Sequence, residues 1–128
     1  MNMKQIIILT LLAATLLLSA CTTANDLDIN NADPALLDLA TCISDSGANF
    51  YGAYWCPHCE EQKDIFGAAQ VNLPYTECDA KGTNGDPQAC TEAGITSYPT
   101  WIFADGTVIS GTQTFDTLAG ITGCTWEG

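Results

Sequence analysis

Cys56-Pro57-His58-Cys59 follows directly on the apolar run Phe50-Tyr51-Gly52-Ala53-Tyr54-Trp55. An apolar run bounded in this way predicts a buried strand that ends at the first cysteine and a helix that begins there, with Pro57 in the first turn where a missing N–H costs little. The spacing puts Cys59 one helical turn behind Cys56 on the same face, within bonding reach. A sulfur at a helix N-terminus faces unpaired backbone N–H groups and the positive end of the helix dipole, and both favour its thiolate. Thiolate fraction controls thiol–disulfide exchange. The pair is therefore a candidate redox site, with His58 in the first turn placed to favour the Cys56 thiolate.

The chain around this motif is short and rich in cysteine. It has 128 residues and seven cysteines, a usage that points to an oxidising compartment in an exported chain of this size. Residues 1–20 read as a signal peptide: Lys4 supplies a basic start, and Ile6 to Leu18 is an apolar stretch of about thirteen residues, short of the ~20 that span a membrane. Leu18-Ser19-Ala20-Cys21 resembles a bacterial lipobox, which implies lipidation of Cys21 and anchorage to a membrane by lipid alone. Residues 21–33 are polar and acidic and read as a tether. Residues 34–128 then form one domain with room for a single small core. The expected location is extracytoplasmic, in the periplasm or at the cell surface. Without Lys4 the chain carries two lysines against fifteen acids, a net charge of −13. Such a surface repels phosphates, which excludes nucleic acid as a partner.

Hydrophobic periodicity and turn chemistry divide the domain. Asp33 is an N-cap and Pro34 a first helical residue for a helix over 34–43, closed by Gly47. Residues 49–54 predict a strand, 57–69 a helix and 73–78 a second strand. Residues 79–87 predict a loop, and 88–93 a short helix closed by Gly94. Thr100 to Phe103, the turn Asp105-Gly106 and Thr107 to Ser110 predict a hairpin, and Thr114 caps a last helix over 115–121. A βαβ crossover followed by a hairpin gives an α/β fold, a mixed sheet of about four strands flanked by helices.

Trp55-Cys56-Pro57-His58-Cys59, followed by Gly94-Ile95-Thr96-Ser97-Tyr98-Pro99-Thr100 and Phe103-Ala104-Asp105-Gly106, resembles the thioredoxin superfamily from about Ala48 to Ile121. The runs around Trp55 and Tyr98 are most similar to the thioredoxin-like domain associated with bacterial vitamin K epoxide reductase homologues, here as a stand-alone lipoprotein. The resemblance implies an exposed nucleophile at Cys56, a resolving thiol at Cys59 and a cis proline at Pro99. It also implies substrate contacts at Tyr98, flanked by Ser97 and by the aromatic surface of Trp55. One position departs from the pattern: Phe50 stands where thioredoxins carry a buried carboxylate, so the proton acceptor for Cys59 has no assigned residue.

The resemblance implies a protein thiol–disulfide oxidoreductase acting on thiols of exported proteins. Its partner in trans is expected to be a quinone-linked membrane enzyme of the vitamin K epoxide reductase type. Pro57-His58 resembles the intervening pair of strongly oxidising periplasmic oxidases, which favours dithiol oxidation. Reductase or isomerase chemistry, and a non-catalytic binding lipoprotein with an inert Cys56–Cys59 bond, remain alternatives. One Cys-x-x-Cys with one histidine falls short of a zinc site, and Met1 and Met3 both lie in the signal. No metal or other cofactor is expected, and the chain is expected to be a monomer. With Cys21 assigned to lipid, Cys42, Cys78, Cys90 and Cys124 allow three pairings. Cys78 with Cys90, across the turn-rich loop, and Cys42 with Cys124, first helix to last, are favoured as structural disulfides. A relay role for Cys78 and Cys90 is the alternative.

Overall fold

The computed structural model describes residues 28–128. The expected signal segment, Cys21 and the tether as far as residue 27 lie outside the described residues. Residues 28–33 include a 3-10 turn, Ile29–Asn31, in which the Asp28 carboxylate accepts from the Asn30 N–H.

Helix α1 (Pro34–Asp45) begins as its sequence dictates: the Asp33 carboxylate accepts from the Ala35 N–H at 2.9 Å, and Pro34 occupies the first turn. Its apolar stripe buries Leu39, Ala40 and Ile43. Strand β1 (Asn49–Gly52) leads through a tight turn into α2 (Pro57–Asp64). Strand β2 (Tyr75–Glu77), the short α3 (Pro87–Glu92), strands β3 (Thr100–Ile102) and β4 (Val108–Ser110) and α4 (Phe115–Thr122) complete the order. Thr114 caps α4 by accepting from the Thr117 N–H at 3.2 Å.

The four strands form one mixed sheet in the order β2-β1-β3-β4. β1 and β2 are parallel, with Phe50 opposite Tyr75 and Gly52 opposite Glu77. β1–β3 and β3–β4 are antiparallel. This is the thioredoxin-like arrangement, a βαβ unit with a C-terminal hairpin and flanking helices. The core is centred on β1 and β3, where Phe50 stacks on Trp101 at 4.7 Å between ring centroids and Trp101 on Phe103 at 6.1 Å. Each such large apolar side chain contributes about 1.5–3 kcal/mol by leaving water.

Two elements differ from the sequence expectation. The helix expected over 57–69 stops at Asp64, and a 3-10 segment, Gly67–Asn72, replaces its last turn. Gly67 takes φ +53, a left-handed conformation that ends an α-helix. The break lets Phe66 and Ala69 both reach the core. The second strand spans only Tyr75–Glu77 because Pro74, at its edge, has no N–H to give to a ladder.

Among the described residues, two disulfides staple the fold. Cys42–Cys124 joins α1 to the chain beyond α4 across 82 residues, and Cys78–Cys90 joins the end of β2 to α3 across 12. In the chain-entropy account, loops of these lengths are worth about 4.5 and about 3 kcal/mol.

Candidate active site

The site is built where β1 hands over to α2. Cys56 is the N-cap of α2, with extended backbone, and its sulfur accepts the Cys59 N–H at 3.3 Å. Its carbonyl accepts from the N–H groups of Cys59 and Glu60, both at 3.1 Å, so the sulfur and the carbonyl share the first orphan donors of the helix. Cys56 and Cys59 are free thiols.

Burial separates the two sulfurs by degree. Cys59 has no exposed surface, and Cys56 is 5% exposed. The resemblance implied an exposed nucleophile; instead Cys56 is nearly enclosed, because its sulfur turns inward to cap the helix. Burial pushes the Cys59 thiol up to about 12, and the hydrogen bond with the Cys56 side chain adds to this. A backbone hydrogen bond at Ala53 and the charge of Lys63 act in the opposite direction. At neutral pH Cys59 is therefore a thiol, which must shed a proton before it can attack.

His58 is placed differently from its expected role. Its imidazole is exposed, and Nδ1 meets Glu61 Oε2 at 3.1 Å, with Cys56 not among its hydrogen-bond partners. Thr112 Oγ1 lies 3.2 Å from both the His58 carbonyl and Glu61 Oε2. These contacts, His58 first, hold the Glu61 carboxyl below its ordinary range. Of the other α2 acids, Glu60 pairs with Lys63 at 3.0 Å.

The second wall comes from the loop before β3. The Tyr98–Pro99 peptide is cis and Pro99 is buried. The rings of Trp55 and Tyr98 meet edge to face at 5.9 Å, which joins the residue before Cys56 to the residue before Pro99. Trp55 is 57% exposed, and its indole N–H donates to Asp79 Oδ2 at 2.8 Å. The Lys81 N–H, then Trp55, hold the Asp79 carboxyl below its usual range. Tyr54 is exposed beside it in the chain. Ser97 is exposed, with Oγ 3.3 Å from Ser110 Oγ on β4 and 3.5 Å from Thr100 Oγ1 at the start of β3. The structure thus brings together Trp55, Cys56, Cys59 and Tyr98. Ser97 and His58 point to other partners, and the four disulfide-bonded cysteines stand outside the dithiol.

Four residues of the surroundings went unassigned in the sequence. Gln62, fully buried on α2, accepts from the Trp101 indole at 3.2 Å and from the Gln113 N–H at 2.7 Å, and so locks the helix against β3. Tyr75 and Glu77 lie on one face of β2, and the Tyr75 hydroxyl donates to Glu77 Oε2 at 2.9 Å. Burial, and then that hydrogen bond, push the Tyr75 phenol up. Lys63 sits over the Tyr75 ring, 3.9 Å from its centroid. The available signal was the acid at Glu77, two residues from Tyr75 in a strand whose alternate side chains share one face.

No family model matches the chain. A curated relative, the thiol-disulfide oxidoreductase LTO1 of Arabidopsis thaliana, is 40% identical over 98 residues. The match covers 73% of this chain and 26% of that protein, so the chain spans about a quarter of the relative's length.

Proposed function

We propose that this chain is a thiol–disulfide oxidoreductase that exchanges with cysteine pairs of other proteins through Cys56 and Cys59. The observation that carries the reading is the helix-capping sulfur of Cys56 with a buried, protonated thiol one turn behind it. The similarity to a named thiol-disulfide oxidoreductase supports the same chemistry.

In the oxidising direction a substrate thiolate attacks Cys56 of the Cys56–Cys59 disulfide. A mixed disulfide forms, and Cys59 leaves as a thiolate that takes up a proton. A second substrate thiolate then attacks the mixed disulfide at the substrate sulfur, and Cys56 leaves with the electron pair. The substrate departs with a disulfide and the enzyme keeps two electrons as a dithiol. In the reducing direction each step runs backwards, with Cys59 as the resolving attacker. Pro99 and the Tyr98 backbone border the site, and Trp55 with Tyr98 offers an apolar rim for an unfolded segment. Ser97 lies on the same loop.

Pro57-His58 supports the oxidase direction. Exported proteins are the proposed substrates, with Cys21 as the lipid anchor outside the cytoplasm. A quinone-linked membrane partner of the vitamin K epoxide reductase type in trans is the proposed electron acceptor. A specific contact favours reductase or isomerase chemistry as the second reading: the His58 imidazole meets Glu61, whose negative charge offsets any help it gives to Cys56.

Two measurements test this. Cys59→Ala should accumulate mixed disulfides on Cys56 in cells, and their absence would count against an enzyme. The reduction potential of the Cys56–Cys59 couple separates the directions: above about −200 mV fits an oxidase, near −270 mV a reductase, and below about −300 mV an inert structural bond.

A further inference from the structure

Cys59 gains or loses a proton in each exchange cycle, and β1 offers it no acceptor. Phe50, six residues before Cys56, is apolar and stacked on Trp101. The adjacent strand is different. Parallel pairing places Gly52 opposite Glu77 and Phe50 opposite Tyr75, so the four side-chain positions share one face of the sheet. Cys59 rests on that face. A Cβ on Gly52 would stand 2.7 Å from Cys59 Sγ and 3.0 Å from Tyr75 Cε2. The missing side chain is what lets the sulfur and the phenol ring approach one another.

Glu77 is 5% exposed, and its carboxylate is held from two sides, by the Tyr75 hydroxyl at Oε2 and by the Asp79 N–H at Oε1, each at 2.9 Å. Gly82 covers it so closely that a Cβ there would lie 2.5 Å from Glu77 Cγ. Beside this covered carboxylate, Tyr75, Thr76, Glu77, Thr83, Asn84 and Asp86 line a surface cavity of about 320 Å³. That volume holds several waters.

We propose that Glu77 accepts and returns the Cys59 proton, that Tyr75 positions its carboxylate, and that the cavity between β2 and the 83–86 loop connects it to solvent. The proposal rests on the dithiol-exchange reading above. In ring closure the Cys59 S–H proton passes to Glu77. The Cys59 sulfur bonds to Cys56, the bond between Cys56 and the substrate sulfur breaks, and the substrate leaves as a thiolate with the electron pair. Glu77 then releases the proton to water in the cavity. In the reverse direction the same carboxyl reprotonates the departing Cys59. Lys63, over the Tyr75 ring, favours the transient negative charge on Cys59. The other titratable or charged groups around the path are Cys56 and Glu60 on α2, and Asp79 and Asp86 on the loop.

The test uses the reduced protein and dithionitrobenzoate. Cys56 releases a first thionitrobenzoate in forming the mixed disulfide, and Cys59 releases a second in closing the ring. Glu77→Gln should slow the second phase about a hundredfold at neutral pH, the scale of general acid–base assistance, and leave the first within about twofold. The deficit should shrink as pH rises, because hydroxide replaces the lost acceptor. Tyr75→Phe, which keeps the ring, should show a smaller deficit with the same pH trend, and it replaces Glu77→Gln if that variant does not fold. Equal slowing of both phases, a deficit independent of pH, or an unchanged second phase would overturn the proposal. Failure of the wild-type protein to give a first phase would instead defeat the dithiol reading on which it rests.

Discussion

The indole N–H of Trp55 donates to Oδ2 of Asp79 at 2.8 Å, a bond between the residue before Cys56 and the first residue after the Cys78 staple. It fixes an exposed aromatic ring that would otherwise sample several rotamers.

The Asp79 carboxyl is held low by the Lys81 N–H and then by Trp55. A depressed folded value means that this contribution is present above the ordinary carboxylate value of about 3.9 and is lost as pH falls through the lower folded value. The Trp55 indole N–H proton resonance should therefore shift with a midpoint below about 3.9. Asp79→Asn should abolish that transition, and a midpoint at the ordinary value would argue against the bond.

Cys59 carries the opposite sign. Its thiol is raised from 9.0 to about 12, so the folded state holds a proton that the unfolded chain releases first. The associated stability is complete below about pH 9 and disappears as pH climbs to about 12. In a Cys56→Ala background, thiolate absorbance at 240 nm, corrected with the Cys56→Ala/Cys59→Ala double variant, should rise with a midpoint well above the ~8.5 of a free cysteine. A midpoint near that of a free thiol would show that Cys59 is not desolvated.

Gly52 has no room for a methyl group between Cys59 Sγ and the Tyr75 ring. Gly52→Ala should cost about 1–3 kcal/mol by overpacking. It should also slow ring closure, because the sulfur itself must move. Urea unfolding checks the first effect and the second dithionitrobenzoate phase the second.

Gln62 is a buried amide whose oxygen serves both the Trp101 indole and the Gln113 backbone. Replacement by leucine keeps the volume but strands two buried donors, a loss of about 2–4 kcal/mol. Equilibrium unfolding of Gln62→Leu measures it, and a change under about 1 kcal/mol would mean that the donors find water instead.

What the sequence made legible was local chemistry. Asp33 with Pro34, Asp105-Gly106 and Thr114 are caps and a turn whose geometry depends on a few neighbouring residues, and each stands where its residue types direct. The strand–dithiol–helix junction belongs to the same class. The end of α2 was marked in the sequence only by Gly67, a residue type that can stop a helix but that a helix also tolerates; the break serves the burial of Phe66 and Ala69, a tertiary demand. The assembly of Cys59, Lys63, Tyr75 and Glu77 was hidden for a related reason. It depends on the register of β1 against β2, which pairs residues twenty-five apart in the chain. For Cys56 the sequence placed the sulfur against the helix N–H groups, as found, but not its near-complete enclosure, which depends on the surrounding chain.

Trp55 and Tyr98 meet next to the less enclosed of the two sulfurs, while Cys59 keeps no open surface at all. Under the proposed exchange, a captured protein would be bonded through Cys56, beside that aromatic pair. On that reading, choice of client and ease of electron exchange would vary separately, the first by changes at the aromatic lip and the second by changes beneath the sheet.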